Sequence, residues 1–131
     1  MKIIRTNFFI IGARWQISLY FHLYLALMDF TFLIAISNGD KPFIAEFISI
    51  FESSVIANIE KMKDDFENGK FEVMQKLAHQ IKPTTEMLGF ETQNDIVAIN
   101  KNARDASLEQ INKIVLEAHH TLAELKKTFL S

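Results

Sequence analysis

His79 is the residue of this chain best placed to do chemistry. It lies in the run Ala78-His79-Gln80-Ile81-Lys82, where Phe71, Met74, Leu77, Ala78, Ile81 and Leu88 recur at helical spacing and define a buried stripe. His79 falls off that stripe, beside Gln75, Lys82 and Glu86, so its imidazole faces solvent without an evident internal carboxylate partner. Lys82, one turn on, is no general base, but its ammonium suits an anion attached to the ring. The arrangement fits a histidine that receives a phosphoryl group. On spacing alone an ordinary surface histidine has the same signature and is the commoner occurrence.

The flanking residues add to the pattern. The run Ala78-His79-Gln80-Ile81-Lys82-Pro83-Thr84-Thr85-Glu86-Met87-Leu88-Gly89 resembles the core signature of histidine-containing phosphotransfer (HPt) domains. That signature reads Ala-His-x-Leu-Lys-Gly, then two small residues, then a Gly several positions later. The resemblance extends upstream to Ile36-Ser37-Asn38-Gly39-Asp40, to the helix carrying Phe43, Phe47 and Phe51, and to the Glu67-Asn68-Gly69 break. It covers roughly residues 29 to 130, about three quarters of the chain. Pro83 departs from it, standing where the family usually has Gly.

The resemblance implies a phosphorelay intermediate of two-component signal transduction. His79 would accept a phosphoryl group from a receiver-domain aspartate and pass it to another. Lys82 would steady the phosphate, and Thr84, Thr85 and Gly89 would support the motif. The implied partners are receiver domains of hybrid kinases and response regulators, which bring their own acidic pocket and Mg²⁺, so no cofactor or metal of this chain is expected. Phosphoryl transfer requires positioning and charge neutralisation more than covalent help from the protein. Autokinase activity is not expected: the glycines at 12, 39, 69 and 89 are isolated and form no phosphate loop.

The elements that must position His79 follow from the pattern. Asp29 is a candidate N-cap for a short helix Phe30–Ile36, stopped by Ser37-Asn38-Gly39. Asp40 caps a second helix that tolerates Pro42 in its first turn. Its stripe is read as Phe43, Phe47, Phe51, Val55, Ile59, Met62 and Phe66, opposite Glu46, Ser49, Ser53, Glu60 and Asp64. Asn68-Gly69 ends it. The histidine helix spans about Lys70 to Leu88 and stops at Gly89. A fourth runs from about Thr92 to Arg104 with Ile96, Val97 and Ile99 inward. Ser107 and Gln110 form a capping box for the last, which buries Ile111, Val115, Ala118, Leu122, Leu125 and Phe129. Short connections after residue 36 predict an all-α, up-and-down antiparallel four-helix bundle over residues 29–131, preceded by an apolar segment over residues 1–28.

Composition narrows the function. A chain of 131 residues defaults to one core, and a net charge of −2 offers no basic face for nucleic acid. The absence of cysteine excludes disulfides, thiol catalysis and thiolate metal sites, and accords with a cytoplasmic setting. Residues 1–28 remain open to several readings. Trp15 to Met28 is uncharged apart from His22, and is shorter than the about 18 residues a spanning helix needs. It reads as a helix packed on the bundle, a membrane anchor holding the domain at the inner face, a signal peptide, or sequence ahead of a start at Met28.

The other histidines carry less. His22 sits among apolar residues, and His119 and His120 are adjacent, about 100° apart on a helix, so they do not chelate one metal together. Pro83 leaves the His79 carbonyl without its helical partner and should bend the helix, with the Thr84 and Thr85 hydroxyls available to released carbonyls. Against the relay stands a different class of function, a non-catalytic helical adaptor that uses the same face to hold a signalling partner.

Overall fold

The computed structural model describes residues 30–130. Among these residues it is entirely helical and without strands. Helix α1 spans residues 30–37, α2 Lys41–Glu67, α3 Phe71–Met87, α4 Gln93–Lys101 and α5 Leu108–Phe129, with a 3₁₀ turn at Ala103–Asp105. The expected cap at Asp29 and the readings of residues 1–28, His22 included, lie outside the described residues.

The helix ends follow from local chemistry. The Asp40 carboxylate accepts from the Phe43 amide at 3.0 Å, with Pro42 in the first turn where its missing N–H costs nothing. At the end of α2 the amides of Gly69 and Lys70 donate to the carbonyls of Phe66 and Asp65. At the end of α3 those of Gly89 and Phe90 donate in the same way to Glu86 and Thr85. This paired closure requires a left-handed residue, supplied by Gly69 (φ 71°) and Gly89 (φ 74°). Ser107 and Gln110 cap α5 reciprocally, as their spacing predicts. The fourth helix is shorter than expected: α4 stops at Lys101, and Asn102 turns extended to cap the 3₁₀ turn through the Arg104 amide.

Helix α2 contains a π-helical stretch, Phe51–Ile56, that keeps the successive residues Val55 and Ile56 both inside. Its buried stripe is Ile44, Ile48, Phe51, Val55, Ile59 and Met62. Phe43 is 44% exposed and Phe47 only half-buried, which corrects the aromatic stripe read from the sequence. The reason is rotational: Phe43 lies two steps of four before Phe51, and over those α-helical turns at 3.6 residues per turn it drifts from Phe51 by about 80°. Ile44, which is buried, stays within about 20° of Phe51 by the same geometry. On α5 a similar correction puts Ile114 in the core, while Val115 and Phe129 are only partly covered. On α4, Ile96 and Ile99 are buried and Val97 is half-buried.

The remaining core side chains, among them Leu33, Met74, Leu77, Ala78, Ile81, Leu88, Ile111, Leu122 and Leu125, join these in one cluster. Polar and ionic contacts mark how the helices lie together. Between α2 and α3, Phe66 meets Phe71 near the turn and Asn58 meets Gln80 farther out. Between α3 and α4, Gln93 bonds the Lys82 carbonyl and Asn100 the Gln75 carbonyl. Between α4 and α5, Gln110 meets Asp95, and Glu117 lies by Glu91 and Thr92. Glu60 meets His119 and Glu52 meets Lys126 between α2 and α5. Phe30 of α1 packs edge-on against Phe129 at 5.8 Å. By length and composition the 27-residue α2 could cross a membrane, but its apolar stripe belongs to the shared core.

Candidate functional site

Helix α3 carries the candidate site because its buried face decides which residues project outward. Met74, Leu77, Ala78, Ile81 and Thr85 are its buried positions, so a residue one or two places off that face must project outward. His79 does so and is exposed. Among the described residues its ring makes no ion pair and no hydrogen bond. It borders an open depression of about 510 Å³, lined also by Glu72, Gln75, Lys76, Gln80 and Asn100. The floor is held by Asn100, whose amide donates to the Gln75 carbonyl at 3.2 Å, and by the Gln75 side-chain oxygen, which accepts from the Ala103 amide at 3.0 Å.

Lys82 is placed differently from what the spacing implied. It is half-buried, and its ammonium donates to Asn100 Oδ1 at 3.1 Å on α4. Lys82 is thus an inter-helix tie in this state, one turn from His79 but not lining the depression. Thr85 is fully buried, its hydroxyl donating to the carbonyls of Ile81 and Lys82 at 3.2 Å each. The hydroxyl serves carbonyls near Pro83 rather than that of His79. Thr84 is half-buried, and Gly89 is exposed at the helix stop. Helix α3 runs unbroken through Pro83, which faces solvent. The Gln93 amide also donates to the Lys82 carbonyl, at 3.1 Å, so the turn around the proline is bonded from both sides.

Sequence reasoning placed Gln75 beside His79 but missed its contacts, and it missed Asn100, Gln93 and Lys76. The first three act across 11 to 28 residues of chain, and no local spacing announces a contact of that range. Lys76 had a signal, since it lies one turn before His79 just as Lys82 lies one turn after it.

Several other titratable groups make structural contacts. His119 Nε2 lies 2.6 Å from Glu60 Oε2, so this histidine is spoken for, while His120 is exposed. Glu117 accepts from the Glu91 and Thr92 amides and the Thr92 hydroxyl, at 2.6, 2.9 and 2.7 Å, fastening the loop before α4 to α5. Buried Asp65 is paired with Lys61 at 3.0 Å on the same helix. No group of three or more His, Asp or Glu side chains among the described residues is arranged to hold a metal ion. Comparison of the chain with protein-family models, with curated proteins and with solved structures returns no match.

Proposed function

We propose that this protein is a phosphorelay intermediate of the histidine-containing phosphotransfer kind, with His79 as the phosphorylated residue. The observation that carries the reading is the state of His79: an exposed imidazole, unpaired among the described residues, at the rim of an open depression on α3. His119, by contrast, is engaged by a carboxylate. The proposed architecture is an up-and-down antiparallel four-helix bundle of α2 to α5. In each neighbouring pair the contacting residue numbers rise along one helix as they fall along the other, which supports this arrangement.

In the proposed step one ring nitrogen of His79 attacks the phosphorus of an aspartyl phosphate on a receiver domain. The N–P bond forms as the acyl O–P bond breaks, and the aspartate leaves as carboxylate with the bonding pair. The proton on the other ring nitrogen passes to water. Onward transfer reverses the sequence with a second receiver aspartate. The receiver contributes the acidic pocket and Mg²⁺; this chain contributes the nucleophile, a docking face and cations. An exposed face is needed because the donor must cover His79 itself.

Incubation with phosphorylated receiver domains from the same genome tests the reading. Acid-labile, base-stable label on this chain is the expected result. A chain that binds receivers but never takes label would instead be the adaptor. Detergent partition of the full chain, compared with one beginning at Met28, tests whether residues 1–28 tether the relay to a membrane.

A further inference from the structure

Two lysines flank His79 by one helical turn each, and they are in different states. The Lys82 ammonium is already spent on Asn100 Oδ1. Lys76 is exposed and makes no hydrogen bond or ion pair among the described residues, and it lines the same depression as His79. Side chains of an α-helix lean toward its N-terminus, so the His79 ring lies over the turn that holds Gln75 and Lys76. A phosphoryl group on that ring would be carried toward Lys76, away from Lys82. It would also be carried toward Glu72, the carboxylate lining this depression.

From this placement we propose that Lys76 is a phosphate-contacting residue of the site, pairing its ammonium with the phosphoryl oxygens at His79 and offsetting Glu72. The inference rests on phosphoryl acceptance by His79. A dianion beside an uncompensated carboxylate is repelled, and a flexible lysine stem with nothing to give up supplies the missing charge at least cost. Lys82 would have to release Asn100 to do the same.

The test uses the full chain and potassium phosphoramidate, a small donor that needs no receiver. The His79 nitrogen forms the N–P bond, the donor's P–N bond breaks, and its nitrogen leaves as ammonia. The proton of the other ring nitrogen passes to water. The second-order labelling rate is measured at low and high ionic strength. Lys76→Ala is expected to lower the low-salt rate roughly three- to tenfold, between a surface ion pair and a charge-assisted hydrogen bond. It should also flatten the salt dependence, which a merely structural role would not do. Lys76→Arg should retain the rate, and adding Glu72→Gln to Lys76→Ala should recover part of it. A Lys76→Ala chain that labels at the unmodified rate with the same salt dependence overturns the proposal. If the unmodified chain takes no label at His79, the underlying phosphotransfer reading fails and the role of Lys76 falls with it.

Discussion

At the scale of single residues, the proposed site divides into the imidazole that would react and the groups that hold it in place. His79 could be read from the sequence because a polar residue off an apolar stripe has to face water, whatever packs on the other side. Lys82 was legible as a nearby cation, but not as a tie to Asn100, since a side chain of that reach chooses its partner from the tertiary structure. Two contributions of Lys82 therefore separate. Lys82→Ala removes the helix tie and any charge donated to a phosphate, and a charge-assisted contact is worth about 1.5–3 kcal/mol. Phosphate uptake from a receiver is expected to slow by roughly ten- to a hundredfold if Lys82 swings to the phosphate in the complex. Asn100→Ala frees the ammonium while removing the bond to the Gln75 carbonyl. It should lower the urea midpoint yet leave uptake faster than in Lys82→Ala, as transfer kinetics on both variants would show.

At the scale of elements, helix stops and caps were the most legible parts of the chain. Asp40, Asn68-Gly69, Gly89 and the Ser107–Gln110 box each carry a local reason that needs no distant partner. Gly89 sits at φ 74° and accepts a Cβ only with strain. Gly89→Ala should therefore cost about 1–2 kcal/mol, read as a lower thermal midpoint with labelling of His79 retained. The loop before α4 was less legible, because its anchor comes from Glu117, on another helix. Glu117→Ala leaves two amides and a hydroxyl without their acceptor, and a loss of about 1–3 kcal/mol is expected in urea denaturation. The extent of α4 was overestimated for a related reason: Asn102 ends it by capping the next turn, and residues 103–105 then continue the helical pattern in sequence.

For the molecule as a whole, the apolar residues specified a helical chain, while the choice of buried face along α2 depended on rotation accumulated over its length. Large aromatics at Phe43 and Phe47 drew the stripe to the wrong side near the N-terminus; the isoleucines one position later fill the core instead. Stability measurements separate the two faces. Phe51 is 1% exposed, and Phe51→Ala should cost about 3–5 kcal/mol. Phe43→Ala, at a surface position, should stay within about 0.5 kcal/mol of the parent. Equilibrium urea unfolding of both variants checks this, and equal losses would reject the rotation of α2 described above. In the proposed relay this core matters because it fixes α3, and so holds His79 outward where a partner would cover it.

The most direct measurement of the central claim is phosphate incorporation from a labelled receiver domain into the unmodified chain, His79→Gln and His120→Gln, with helical content followed in parallel. Phosphotransfer at His79 predicts label on the unmodified chain and on His120→Gln, and none on a folded His79→Gln. Label persisting in His79→Gln, or vanishing in a folded His120→Gln, would contradict it.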